Sequence, residues 1–226
     1  MIRTIITLAV IGLFSANAVA QSQSDWIVRV GVGHVNTDVS SGNLVASGAE
    51  LDGYQIDVSN NTRPIFNLTF MATDNLGVEL LAAWPFEHSI KGDGVLSGAG
   101  KLGETKHLPP TLSLQYHFLP NARFRPYAGL GINYTNFFDS KTTPTLDGAL
   151  GGESSMNIKD SWGAALQVGA DVDINDSMFL NFAVRWIQIE ADARIRTRTA
   201  DGSILHSRIK ADLDPWVYSA AIGFRF

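Results

Sequence analysis

Hydrophobic and polar residues alternate with a period of two through most of this chain, the pattern of strands whose successive side chains point to opposite faces. It is plainest at the end of the sequence. There Trp216, Tyr218, Ala220, Ile222, Phe224 and Phe226 share one face, and Val217, Ser219, Ala221, Gly223 and Arg225 share the other. The length matches the roughly 9 to 11 residues that a tilted strand needs to cross a bilayer, with aromatic rings near both ends, where a membrane has its interfaces.

Seven earlier segments repeat the pattern. The first starts at Trp26 and sets Trp26, Val28, Val30 and Val32 against Arg29, Gly31 and Gly33. The second, Arg63 to Ala72, turns Phe66, Leu68, Phe70 and Ala72 outward and Ile65, Asn67, Thr69 and Met71 inward. The third, Leu76 to Phe86, has Val78, Leu80, Ala82, Trp84 and Phe86 outside, with Gly77, Glu79, Leu81 and Ala83 inside. A fourth runs from about Leu108 to Phe118, with Ser113, Gln115 and His117 inward. The fifth alternates Ala128, Leu130, Ile132 and Tyr134 with Tyr127, Gly129, Gly131, Asn133 and Thr135. In the sixth, Trp162 to Val172 oppose Gly163 to Asp173, and in the seventh Phe179, Asn181, Ala183 and Arg185 face inward. Alternation then continues as Ile189, Ala191, Ala193 and Ile195 against Glu190, Asp192, Arg194 and Arg196, which predicts a strand protruding into solvent with its tip at Asp201-Gly202.

Three links carry tight-turn chemistry: Thr73-Asp74-Asn75, Pro120-Asn121 and Asn175-Asp176-Ser177. Between them lie long polar stretches, Asn36 to Asn61, Glu87 to His107 and Asp139 to Asp160, expected as loops, with a short helix possible around Gly94 to Ala99. Eight strands with alternating long and short connections predict an all-β fold, an eight-stranded antiparallel transmembrane β-barrel with long extracellular loops and short periplasmic turns. A soluble lipocalin-like barrel would put its larger apolar face inside, whereas here the inward set is rich in Gly, Asn, Gln and charge.

The start of the chain adds a destination. Arg3, an apolar run from Ile5 to Phe14 and then Ala18-Val19-Ala20 read as a cleaved secretory signal over residues 1–20, leaving one barrel domain at 21–226. The apolar run is too short for a spanning helix. There is no cysteine, so an exported chain must be held by another device, such as a closed ladder of hydrogen bonds. The formal net charge is −5, with no basic tail to invite nucleic acid.

Several runs together resemble the OmpW/AlkL family of small outer-membrane barrels. They are Thr73 to Ala83 (TDNLGVELLAA), Lys106 to Leu112 (KHLPPTL), Phe124 to Tyr134 (FRPYAGLGINY), Lys159 to Ala165 and Leu213 to Trp216. The last strand likewise resembles the C-terminal strand of bacterial outer-membrane barrels, whose final aromatic belongs to the assembly signal; this assigns Phe224 and Phe226 to it. The resemblance implies a monomer in the Gram-negative outer membrane, among its lipids and lipopolysaccharide and inserted by the outer-membrane assembly machinery. It implies passive uptake of small hydrophobic molecules, from an apolar pocket near the extracellular end and sideways through the wall into the bilayer. Independently of family, an eight-stranded barrel has room inside only for side chains or one small ligand, which rules out a wide aqueous pore.

Inward Ile65, Met71 and Leu81 are candidates for a hydrophobic constriction, or simply core filling. Pro109 and Pro110 remove ladder hydrogen bonds, so they mark either a lateral exit or a loop boundary. Arg29, Glu79, Asp171, Arg185 and Arg225 point inward by parity and are expected to pair as an ionic plug, since unpaired charge within a membrane is costly. No enzyme is expected. His88-Ser89 and His206-Ser207 are neighbours on opposite faces, and Ser113 and His117 lie about 13 Å apart along one strand. The five histidines lack metal-ligand spacing and are read as surface or interfacial; no metal or cofactor is expected. The competing function is a structural or adhesive barrel, or a phage or bacteriocin receptor, acting through its extracellular loops.

Overall fold

Strand pairing in the computed structural model, which describes residues 22–226, closes on itself. In chain order the elements are β1 (Trp26–Asn36), β2 (Ser40–Ser41), β3 (Leu44–Ala46), β4 (Ala49–Leu51), β5 (Tyr54–Val58), β6 (Asn61–Met71), β7 (Leu76–Ala83), β8 (Phe86–Gly94) and β9 (Lys101–Leu108). Then follow β10 (Thr111–His117), β11 (Phe124–Thr142), α1 (Pro144–Leu150), β12 (Gly152–Lys159), β13 (Ser161–Asp173), β14 (Met178–Ile187), β15 (Glu190–Thr199), β16 (Ile204–Asp212) and β17 (Trp216–Arg225). Eight of these, β1, β6, β7, β10, β11, β13, β14 and β17, form an antiparallel ring, closed where β17 pairs with β1. The expected signal at residues 1–20 lies outside the described residues.

The ring's outer wall is apolar and open to its surroundings. Leu130 is 65 % and Ile132 62 % exposed, as a wall solvated by lipid tails requires. Rings bound the band at both edges. Trp26 and Phe70, with centroids 5.0 Å apart, lie at the turn end with Phe124 and Phe226. Tyr134 and Trp162, 4.7 Å apart, lie at the other end with Trp84, Trp186 and Trp216. At the turn end, Asn75 N and Leu76 N donate to Thr73 Oγ1, and Ser177 N and Met178 N donate to Asn175 Oδ1, the local side-chain bonds that those residues supply in tight reversals.

Above the upper ring the chain keeps its strands and inverts them. Ile187, Ile189, Ala191, Ala193 and Ile195 are buried and Arg194, Arg196 and Arg198 exposed, the reverse of Phe182 and Trp186 below. Lipid surrounds the wall below Trp186 and water surrounds it above, so the apolar side chains change faces. The three stretches expected to be loops are therefore folded. β12, β15, β16, β3 and β4 form one sheet, with β2 on β16, while β5, β8 and β9 continue the wall beside upper β11. Gly94 to Ala99 holds a turn, with Gly94, Gly98 and Gly100 at positive φ; the helix forms instead at Pro144–Leu150, with Pro at its first turn. Phe86 also departs from expectation. Trp84 N still donates to Pro64 O at 2.9 Å, but Pro85 ends the strand, and Phe86 turns inward, 2 % exposed.

Candidate functional site

The upper interior is an apolar column. Val35, Ile65, Leu81, Phe86, Ile187 and Val217 are buried together, and the cluster continues upward through Leu44, Ile90, Ala193 and Ile209 into the extracellular extension. Two cavities lie along it. The upper, about 40 Å³, is lined by apolar side chains including Tyr54, Ile56, Leu102, Leu146 and Met156. The lower, about 20 Å³, lies between Ile65, Leu81, Ala83, Phe86, Pro109 and Arg185. Each has the volume of a water but few polar partners to hold one, so both suit apolar atoms.

Below the column the interior becomes ionic. Arg29, fully buried, donates to Asp171 at 2.8 and 3.2 Å, to Glu79 at 3.3 Å and to Thr69 Oγ1 at 3.0 Å, and its guanidinium sits 5.3 Å from the Tyr127 ring centre. Glu79 takes a second cation, Arg185, at 3.2 Å, and Arg185 donates on to Ser219 Oγ at 3.0 Å. Asn181 donates to Asp171 at 2.7 Å and to the Tyr127 hydroxyl at 3.0 Å. Two arginines thus face two carboxylates, each charge paired, as burial in low dielectric demands. Arg185, which also lines the lower cavity, is the floor of the apolar column.

The wall beside that cavity is interrupted on one side. Pairing between β7 and β10 ends at Leu81 and Thr111, and resumes between β8 and β9 at Phe86 and His107. Pro109 and Pro110, lacking N–H groups, fall in the interval. On the opposite side the register runs on, Thr111 with Asn133 and Leu108 with Asn136. There Asn133 Nδ2 donates to Pro109 O at 3.1 Å and Tyr134 N to Pro110 O at 3.0 Å. The prolines therefore keep one neighbour and release the other.

Just above this seam, outside the membrane band, His88 and His107 meet with their Nε2 atoms 2.9 Å apart. His88 Nδ1 lies against the carbonyl of Ser59 and must donate to it, so His88 Nε2 accepts and His107 Nε2 donates. His107 Nδ1 then faces the interior without a partner. Phe86 and Phe137 flank the His107 ring at 5.5 and 5.7 Å. Burial pushes His107 down to about 3, with His88 adding to the effect, and burial also lowers His88. Both rings are neutral at ordinary pH, which keeps the column uncharged.

A family model described as the OmpW family matches residues 22–226. The chain belongs to the OmpW family. It is similar to outer membrane protein W of Vibrio cholerae, 41 % identical over all of both chains. It is also similar to the dibenzothiophene metabolism operon protein PahQ of Pseudomonas aeruginosa, 29 % identical over 90 % of each. The crystal structure of the outer membrane protein OprG from Pseudomonas aeruginosa matches with a TM-score of 0.84 at 37 % identity, covering 92 % of this chain and 98 % of that one. This is an eight-stranded barrel of the Gram-negative outer membrane.

Within this OmpW-family barrel, the residues singled out by parity fall at different depths. Ile65, Leu81 and Pro109 meet at the lower cavity, while Pro110 is exposed on the outside of the seam. Met71 does not join them; it is buried with Ile27 and Phe179 at the turn end, beneath the ionic floor. Arg29, Glu79, Asp171 and Arg185 form one cluster. Arg225 belongs to a second and lower one, where it and Arg125 both bind Asp173. Arg125 was not expected there, although it shares the inward parity of Tyr127. Phe226 exchanges backbone hydrogen bonds with Trp26 at 2.8 and 3.0 Å, and Phe224 lies opposite Val28 and Met178. The surface or interfacial reading fails for His88, His107 and His117, which are buried, and holds for His34 and His206. Among the described residues no group of three or more His, Cys, Asp or Glu side chains is placed to hold a metal ion.

Proposed function

We propose that this OmpW-family barrel carries small hydrophobic molecules passively inward from the extracellular side, through the apolar column, and releases them sideways into the bilayer at the Pro109-Pro110 seam. The observation that carries this reading is the position of the lower cavity: it is apolar, it abuts the interrupted pairing, and Arg185 lies beneath it. An apolar solute loses its favourable surroundings if it continues down into paired charges, and keeps them if it turns into lipid. The similarity to PahQ, named for an operon of dibenzothiophene metabolism, agrees with an apolar cargo.

Leu81 faces the cavity from the strand that borders the seam, so Leu81→Asp puts a carboxylate at the turning point. Uptake of an apolar dye into liposomes carrying the folded variant should fall by about tenfold, the effect of a barrier raised by roughly 1.4 kcal/mol. Unchanged uptake would remove Leu81 from the path. No transport by the folded parent barrel would favour a receptor or adhesive role for the extracellular extension.

A further inference from the structure

We infer that the outward face of the β15–β16 hairpin is a binding groove for the phosphorylated core sugars of the lipopolysaccharide that surrounds the barrel. The groove is open, about 550 Å³, and lined among others by Arg194, Arg196, Arg208, His206, Ser155 and Asn157, with no carboxylate among its lining residues. That is a local departure for a chain whose net charge is −5.

Strand register builds it. Arg194 lies directly opposite Arg208, and Arg196 opposite His206, while Asn157 and Ser155 of β12 flank the two arginines on the other side. Like charges directly opposite each other in a sheet are unfavourable. Arg208 is compensated: its Nε and Nη2 donate to the two oxygens of Asp192, at 2.6 and 2.7 Å, and Lys159 also reaches that carboxylate at 3.1 Å. Arg194 and Arg196 have no side-chain hydrogen bond or ion pair among the described residues. They sit two positions apart on one strand face, about 7 Å, a spacing for two phosphate groups rather than a single small anion. Guanidinium forks suit phosphate oxygens in pairs.

Place selects the source of the phosphate. The groove faces away from the barrel axis, toward the surrounding leaflet, and Arg194 is eight positions beyond Trp186 of the upper aromatic ring. With the tilt of barrel strands that puts it about 20 Å above the band. Phosphates at the hydrocarbon boundary lie below that height, and the core sugars of lipopolysaccharide occupy it.

The test uses the folded chain in lipid nanodiscs. Its probes are purified rough lipopolysaccharide with a phosphorylated core, the same material with the core dephosphorylated, and inorganic phosphate. The parent should bind the phosphorylated form, more weakly as salt rises. Arg194→Gln/Arg196→Gln should weaken binding by about tenfold, and Arg194→Lys/Arg196→Lys by a smaller factor, because lysine keeps the charge and loses the fork. The dephosphorylated form should bind the parent as poorly as the intact form binds the Gln variant. Both arginines are exposed on the surface, and the heat-dependent gel shift of a folded barrel confirms that each variant is assembled. Binding that is equal for the two lipopolysaccharides, or unchanged in the Gln variant, would overturn the proposal. Full competition by millimolar inorganic phosphate would also overturn it, by reducing the groove to a free-anion site.

Discussion

Arg29 donates to both oxygens of Asp171, at 2.8 and 3.2 Å, with neither side chain exposed to solvent. The same guanidinium reaches Glu79, which in turn holds Arg185, so one residue from β1 ties together β7, β13 and β14. Each of these charges is therefore paired inside the barrel, directly below the apolar column.

Removing one member should therefore harm the barrel more than its size suggests. Arg29→Met leaves Asp171 with Asn181 and Glu79 with Arg185, in a low-dielectric interior. The expected loss is about 3 to 5 kcal/mol. Urea unfolding of the reconstituted barrel measures it. Replacing Arg29 together with Asp171 by apolar residues should recover part of the loss, because no uncompensated charge is then left on that side.

Packing at the turn end rests on Gly223. It lies directly opposite Phe179, and a Cβ built there would come within 2.1 Å of the ring. Phe179 is fully buried and packed against Arg29 and Arg125, whose guanidiniums lie 5.6 and 5.5 Å from its centre. Gly223→Ala should cost about 1 to 3 kcal/mol through displacement of that ring. The paired variant Gly223→Ala/Phe179→Leu should regain stability in the same unfolding measurement.

Acid should act on the histidine pair first. His107 is pushed down to about 3 from 6.5, and His88 is also lowered, so between those values the unfolded chain binds protons that the native chain does not. The stability held by the neutral pair is complete above pH 6.5 and declines as pH falls toward 3, by on the order of 1.4 kcal/mol per pH unit for His107. Unfolding midpoints measured across that window should fall with acidity, and His107→Phe should flatten the slope.

Much of this architecture was legible in the sequence, because lipid enforces a strict period of two. Parity placed Arg29, Glu79, Asp171 and Arg185 inside, and the turn residues Thr73 and Asn175 marked the reversals. Parity gives a face and not a depth, which is why Met71 could be grouped with Ile65 and Leu81 although the ionic floor separates them. The extension was harder to read because water replaces lipid above Trp186, where Ile187 and Ile189 turn inward and short strands such as those at 40–46 are too brief to show a period. Phe86 was misplaced for a local reason, the break at Pro85. The histidine pair had no signal at all: His88 and His107 are brought together only by the register of β8 and β9.

The most direct measurement is the rate at which liposomes bearing the Pro109→Ala/Pro110→Ala barrel take up an apolar dye. By the register of β7 and β10, Pro109→Ala restores a backbone donor facing Ala83 across the seam, while the amide restored by Pro110→Ala faces Tyr134 on the other side, so the strand can pair with both neighbours and the seam can close. With the barrel folded and the apolar column intact, uptake should slow by about tenfold relative to the parent, a barrier increase of roughly 1.4 kcal/mol. A folded variant that takes up the dye at the parental rate would contradict lateral release at this seam.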